Sequence, residues 1–282
     1  MLVEILEPKG YCAGVSHAIK MAILAKKENP DLEVHVLGML VHNHFVVRQL
    51  EEQGIKTTYD INDIPDGQVI VFTAHGHDQK LDAIAKKKNL RIYDAICPIV
   101  KKNNSTIEQE INASHQIIYI GIANHPETVA SLSISEDVIF YSVKDGLDFS
   151  LIKDKSPLVV NQTTLNVLAL KDIYEDIKKH IPEARIADEI CFSTRKRQEA
   201  IKNMNEDIDF LVVVGDKQSS NTTRLLEVAK MSHPNIPSVM IGSALELDIS
   251  LLNNKKHIAI SSGASVPEEI IDAVYQKIKA IA

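Results

Sequence analysis

Asp94-Ala95-Ile96-Cys97, preceded by Leu90-Arg91-Ile92-Tyr93 and followed by the apolar run Ile117-Ile118-Tyr119-Ile120-Gly121, decides the fold because it recurs. Asp188-Glu189-Ile190-Cys191 keeps Asp, Ile and Cys at the same offsets, after Ala184-Arg185-Ile186-Ala187 and before Leu211-Val212-Val213-Val214-Gly215. A third copy opens the chain, where Val3-Glu4-Ile5-Leu6 precedes Cys12 and Val34-His35-Val36-Leu37-Gly38 follows it. The cysteines stand 85 and 94 residues apart, and the glycine ending each apolar run lies 26, 24 and 24 residues beyond its cysteine. Four residues past each glycine comes a polar side chain: His42, His125 or Ser219. A further apolar segment closes each copy: Val69-Ile70-Val71-Phe72 runs into His75, Leu158-Val159-Val160 into Gln162-Thr163-Thr164, and His257-Ile258-Ala259-Ile260 into Ser261, Ser262 and Ser265. Self-similarity at fixed offsets signals repeated supersecondary units. The units expected here are residues 1–90, 91–185 and 186–282.

Strands that are apolar throughout, instead of alternating, belong to sheets covered on both faces, and intervening helices make those strands parallel. After Cys12, the positions Val15, Ala18, Ile19, Ala22 and Ile23 follow a helical period and predict an amphipathic helix with that face buried. The fold class is therefore α/β with mainly parallel sheets. In such sheets the loops leaving the carboxyl ends of the strands gather at one edge, where ligands bind. Three small units related by a pseudo-threefold axis would bring their cysteines, histidines, serines and threonines to a common centre.

The chain has 282 residues, 45% of them hydrophobic, which suffices for a buried core and excludes disorder. Its apolar runs are far shorter than the roughly 20 residues that cross a bilayer, and Met1-Leu2-Val3-Glu4 is not a basic-then-apolar leader, so a cytoplasmic protein is expected. With 31 Lys+Arg against 38 Asp+Glu the net charge is −7, and the longest basic tract is Arg195-Lys196-Arg197, which reads as a solvated helix face. That charge argues against nucleic acid as a partner. Neither a Walker A sequence nor a glycine-rich dinucleotide fingerprint is present, so a nucleotide is not indicated either.

Three cysteines in such a chain do not make a disulfide framework. Three soft thiolates without a fourth suit an iron-sulfur cluster with one iron free of protein ligands, which leaves a position for substrate. A zinc site of three cysteines and a histidine, or plain burial, are the other readings. Around the cysteines, His42, His75, His125, Ser219, Ser220, Asn221 and Ser265 are hydrogen-bond donors at strand ends and helix starts, a shell suited to phosphate or diphosphate oxygens. Ser265-Val266-Pro267-Glu268 also has the capping-box pattern, with Ser265 as N-cap, and Asn221 and Thr222 could cap a helix. In His125-Pro126-Glu127 a carboxylate stands beside the anion site, where desolvation and negative charge raise its pKa and suit it to donate a proton.

Tyr11-Cys12-Ala13-Gly14-Val15, Val41-His42-Asn43, Ala74-His75-Gly76, Cys97-Pro98-Ile99-Val100, His125-Pro126-Glu127, Gln162-Thr163-Thr164-Leu165, Ser219-Ser220-Asn221 and Gly263-Ala264-Ser265 together resemble the 4-hydroxy-3-methylbut-2-enyl diphosphate reductases of the non-mevalonate isoprenoid pathway. The resemblance spans nearly the whole chain, in order. It implies a trefoil of three α/β domains around a 4Fe-4S cluster on Cys12, Cys97 and Cys191, with the fourth iron open to the substrate hydroxyl. It implies diphosphate binding by His42, His75, His125, Ser219, Ser220, Asn221 and Ser265. Glu127 becomes the proton source, Thr163 its relay, and a ferredoxin or flavodoxin the electron donor. A cluster-dependent dehydratase and an iron-sulfur redox sensor are the competing readings. Thr128 and Ser131, after Glu127, depart from the family's usual residues.

Overall fold

The computed structural model describes residues 1–281. The first third of the chain forms β1 (Leu2–Ile5), α1 (Ala13–Glu28), β2 (Val34–Leu37), α2 (His44–Glu52), β3 (Ile55–Thr58), β4 (Val69–Phe72), α3 (Lys80–Lys87) and β5 (Arg91–Asp94). The middle third forms α4 (Pro98–Asn112), β6 (Ile117–Gly121), α5 (Pro126–Leu132), β7 (Val138–Ser142), β8 (Leu158–Asn161), α6 (Val167–His180) and β9 (Arg185–Ile186). The last third forms α7 (Phe192–Lys202), β10 (Phe210–Val214), α8 (Ser220–Ser232), β11 (Ser238–Ile241), β12 (His257–Ser262) and α9 (Glu268–Lys279).

These strands make three four-stranded sheets of one design, β3-β2-β4-β5, β7-β6-β8-β9 and β11-β10-β12-β1, parallel throughout. The fourth place of the third sheet is taken by β1, from the other end of the chain, with Leu2 opposite His257 and Ile5 opposite Ile260. The chain divides into two compact bodies. One comprises residues 1–12, 164–168 and the segment from Cys191 onward, and holds the β1-containing sheet; the other, residues 13–163 and 169–190, holds the remaining two.

Central strands are buried on both faces, which explains their unbroken apolar text. In β10, Leu211 and Val213 face one way, into a core with Ile201, Leu225 and Val228 from α7 and α8. Val212 and Val214 face the other way, into a core with Ile271, Val274 and Ile278 from α9. Each such side chain contributes about 1.5–3 kcal/mol by leaving water.

The helix expected after Cys12 is present, but its buried stripe is Val15, Ala18, Ala22 and Ala25, while Ile23 is 40% exposed. Small residues let α1 lie close to the β2-β4-β5 surface, so the buried stripe turns toward the alanines and away from Ile19 and Ile23. Among the described residues no helix is long and apolar enough to cross a membrane.

Candidate active site

Every candidate residue lies in the segment leaving the carboxyl end of a strand. Cys12 follows β1, His42 β2, His75 β4, Cys97 β5, His125 and Glu127 β6, Thr163 β8, Cys191 β9, Ser219 to Asn221 β10 and Ser265 β12. None follows β3, β7 or β11, one edge strand of each sheet, while the three cysteines follow β1, β5 and β9 at the other edges. The order β3-β2-β4-β5 sends the chain one way after β2 and the opposite way after β4, and the crevice between two such loops is where open α/β sheets bind ligands. In the first sheet His42 and His75 occupy it, in the second Glu127 and Thr163, and in the third the Ser219 to Asn221 turn and Ser265.

In the body carrying the first two sheets, three imidazoles cluster. The His42 and His75 rings stack with centroids 4.3 Å apart, and His125 meets them edge-on at 5.6 and 5.7 Å. Burial pushes the His75 pKa well below the usual 6.5, with His42 and His125 adding to the effect. His75 is therefore neutral near pH 7, a donor or acceptor and not a cation. The rings stack instead of converging on a point, and among the described residues no three His, Cys, Asp or Glu side chains could hold a metal ion.

His125 is the N-cap of α5, its Nδ1 accepting from the Glu127 backbone N–H at 3.2 Å. That bond leaves the ring hydrogen on Nε2, which can donate. Pro126 at the first helical position, where its missing N–H costs nothing, fixes the turn that drives Glu127 inward. Glu127 is only 3% exposed. Its Oε1 accepts from the Thr163 backbone N–H at 2.7 Å and its Oε2 from the Thr163 hydroxyl at 2.9 Å. Burial raises the carboxyl pKa from 4.5 to about 7, and the two Thr163 bonds oppose the rise. The group can thus hold its proton well above the usual carboxylate range.

Thr128 acquires a reason from the neighbouring strand end. A Cβ on Gly121 would sit 2.4 Å from Thr128 Oγ1, and one on Gly215 equally 2.4 Å from Thr222 Oγ1. Each threonine stands seven residues after its glycine, and the absent Cβ lets the helix start press on the strand end. Gly215 also has φ +152, in the region that favours glycine.

In the other body, Ser219 is the N-cap of α8, its Oγ accepting from Thr222 N at 3.3 Å. Ser220 Oγ accepts from Thr164 Oγ1 at 3.0 Å. Asn221 Nδ2 donates to buried Thr194 Oγ1 at 3.0 Å, while Asn221 Oδ1 is buried without a hydrogen-bond partner among the described residues. Ser265 is buried, but the capping-box expectation fails: the N-cap of α9 is Pro267, without a side-chain cap bond, because the helix begins only at Glu268.

The cysteines are not disulfide-bonded and are partly buried. Cys97 and Cys191 are the N-caps of α4 and α7 with nearly the same backbone angles, φ −56, ψ 130 and φ −55, ψ 136, and neither side chain caps its helix. Helix N–H groups there favour negative charge on the sulfur. Cys97 N donates to Ala74 O, just before His75, and Cys12 N to Ala264 O, just before Ser265, each at 3.0 Å. The same backbone bond thus ties two cysteines to segments bearing candidate anion donors.

Among the buried polar residues outside the expected set, two share one offset from a cysteine. Arg197, expected on a solvated face, is 2% exposed, and Asn103 equally so. Both stand six residues after a cysteine, an offset the repeat makes visible once helix burial is known.

The LytB protein family model matches residues 3–279. The 4-hydroxy-3-methylbut-2-enyl diphosphate reductase of Brevibacillus brevis is 35% identical over 278 residues, covering 95% of this chain and 88% of its own length. That of Malacoplasma penetrans is 33% identical over 276 residues, covering 93% and 92%. Among solved structures, the E-1-hydroxy-2-methyl-but-2-enyl-4-diphosphate reductase of Plasmodium falciparum aligns with a TM-score of 0.91 and 30% identity, over 98% of this chain and 87% of that one.

Proposed function

This chain belongs to the LytB protein family, and from that premise we propose that it is a 4-hydroxy-3-methylbut-2-enyl diphosphate reductase. It removes the allylic hydroxyl of its substrate as water, giving isopentenyl and dimethylallyl diphosphate, the terminal step of the non-mevalonate pathway. Each turnover takes up two electrons and two protons. The observation that carries the reading is the buried Glu127 carboxyl, doubly bonded to Thr163.

The cysteines fit a 4Fe-4S cluster: they are soft donors, and Cys97 and Cys191 cap helices in the same conformation. When bound to Cys12, Cys97 and Cys191, the cluster would supply an open iron for the hydroxyl and a route for single electrons.

The chain's own residues do the rest. His42, His75, His125, Ser219, Ser220, Asn221 and Ser265 bind the diphosphate as hydrogen-bond donors, and many short bonds to one end of a small molecule fix where its other end lies. When Glu127 is protonated on Oε2, the bond to Thr163 reverses and Oε2 donates to Thr163 Oγ1. It passes that proton to Thr163 Oγ1 as the Thr163 hydroxyl hydrogen moves to the departing oxygen. The second proton reaches carbon, with the substrate's own diphosphate as the local acid. An electron carrier of the ferredoxin or flavodoxin type supplies the electrons, and the cytoplasm is the compartment.

Anaerobically reconstituted protein, given substrate and a measured quantity of dithionite, tests this. The reductase consumes two electrons per product. A dehydratase forms product without consuming reductant and a sensor forms none, and either result overturns the reading.

A further inference from the structure

Arg197 carries a charge into the interior of the body that holds Cys12 and Cys191, and its bonds are unusual for a buried cation. Nε donates to Ser262 O at 3.2 Å, Nη2 to Gly10 O at 2.7 Å, and Nη1 to Ser193 O at 3.3 Å and to Ser193 Oγ. All of these acceptors are uncharged. A guanidinium buried at 2% exposure without an anion would be costly. Burial accordingly pushes its pKa below the ordinary value, and the groups that pull it back up are Cys12, Cys191 and then Glu7. Glu7 is exposed, so the partly buried groups that stand against the guanidinium are the two sulfurs.

The bonds have a directed pattern. Gly10 stands two residues before Cys12, and Ser193 two residues after Cys191. In the second body, Asn103, with its amide turned to donate, reaches Glu189 Oε2 at 3.0 Å and Ile99 O at 3.2 Å, and Glu189 stands two residues before Cys191. The residue six places after one cysteine thus holds the residue two places before the next. Of the two residues at that offset, Asn103 is neutral and Arg197 is charged.

We propose that Arg197 is a positioning residue for the sulfur ligands: it holds the Cys12 segment to the Cys191 helix and sets one positive charge beside both thiolates, raising the reduction potential of the group they carry. The inference rests on the cluster reading above. A nearby cation favours the more negative, reduced state, one of the levers by which proteins tune iron-sulfur potentials.

The test uses wild-type, Arg197→Met and Arg197→Lys protein, reconstituted anaerobically with iron and sulfide. The readouts are a redox titration followed by EPR and the rate of iron release to a chelator. Methionine keeps the bulk and removes the charge. At a fixed applied potential its ratio of reduced to oxidised cluster is expected to fall about tenfold, which is about 59 mV for one electron, and iron release to quicken about tenfold. Lysine keeps the charge but cannot reach the carbonyls of Gly10, Ser193 and Ser262 together, so its potential stays at the wild-type value while iron release quickens. A methionine variant with wild-type potential and wild-type release overturns the proposal. If circular dichroism shows that variant unfolded, lysine decides alone, and wild-type release from it overturns the proposal. Wild-type protein that takes up no iron ends the cluster reading itself, and the inference with it.

Discussion

Glu127→Gln separates proton donation from packing, because glutamine fills the same space and keeps an oxygen for the Thr163 backbone N–H. The carboxyl pKa rises from 4.5 to about 7 on folding, so between those pH values the folded chain holds a proton that the unfolded chain has released. A folded-state pKa above the unfolded value gives stability that is complete below the unfolded pKa and is lost as pH climbs through the folded one. At about 1.36 kcal/mol per pH unit, this carboxyl makes the wild type lose about 3 kcal/mol between pH 4.5 and pH 7. The glutamine variant escapes that loss. Urea unfolding of cluster-free protein at pH 5 and pH 8, followed by circular dichroism, should therefore show the variant gaining on the wild type as pH rises, by about 2–3 kcal/mol. On the same substitution, kcat in the reconstituted enzyme falls by about 10²–10⁴-fold, the usual worth of a positioned acid, while KM changes little because Glu127 does not hold the diphosphate. Parallel pH–stability profiles would refute the burial argument, and a wild-type kcat would refute the assignment of the acid.

Thr163→Val removes one of the two bonds that oppose the rise in the Glu127 pKa, so the alkaline limb of the kcat profile should move to higher pH as kcat falls; an unmoved limb contradicts the pairing. Diphosphate bound beside His75 restores the charge that burial suppresses, so substrate binding at pH 6 should take up protons, read by calorimetry as a binding heat that depends on the buffer. A buffer-independent heat contradicts this. Gly121→Ala places a Cβ 2.4 Å from Thr128 Oγ1 and 2.9 Å from Tyr119 Cε1 and should destabilise the fold by about 1–3 kcal/mol. Paired with Thr128→Ala it should lose much of that cost, and an unchanged melting temperature in the single variant would count against the close approach.

The central strands were legible because a segment buried on both faces must be apolar at every position, and β4, β6 and β10 say so without ambiguity. The pairing of β1 with β12 was not, since a four-residue strand carries no mark of a partner more than 250 residues away. Offsets counted from the strand-ending glycines located His42, His125 and Ser219, because a parallel strand delivers its next loop to a fixed edge whatever the loop contains. Helix faces were harder. Alanines outrank isoleucines in the α1 stripe because close approach to a sheet selects small side chains, and Pro267 delays α9 past the serine that mimics a cap. Arg197 was illegible for a plainer reason: between Lys196 and Gln198 nothing in the residue type distinguishes a buried guanidinium from a solvated one. The Glu127 and Thr163 pairing came from the resemblance, since 36 residues of intervening chain hide it from any local pattern.

Mössbauer spectra of protein reconstituted anaerobically with ⁵⁷Fe, with and without 4-hydroxy-3-methylbut-2-enyl diphosphate, test the central claim most directly. The account predicts four irons per chain, one of which changes its spectrum when substrate is added, with cluster formation lost on replacing Cys12, Cys97 or Cys191. A chain that takes up no iron, or a cluster indifferent to both substrate and those replacements, would contradict it.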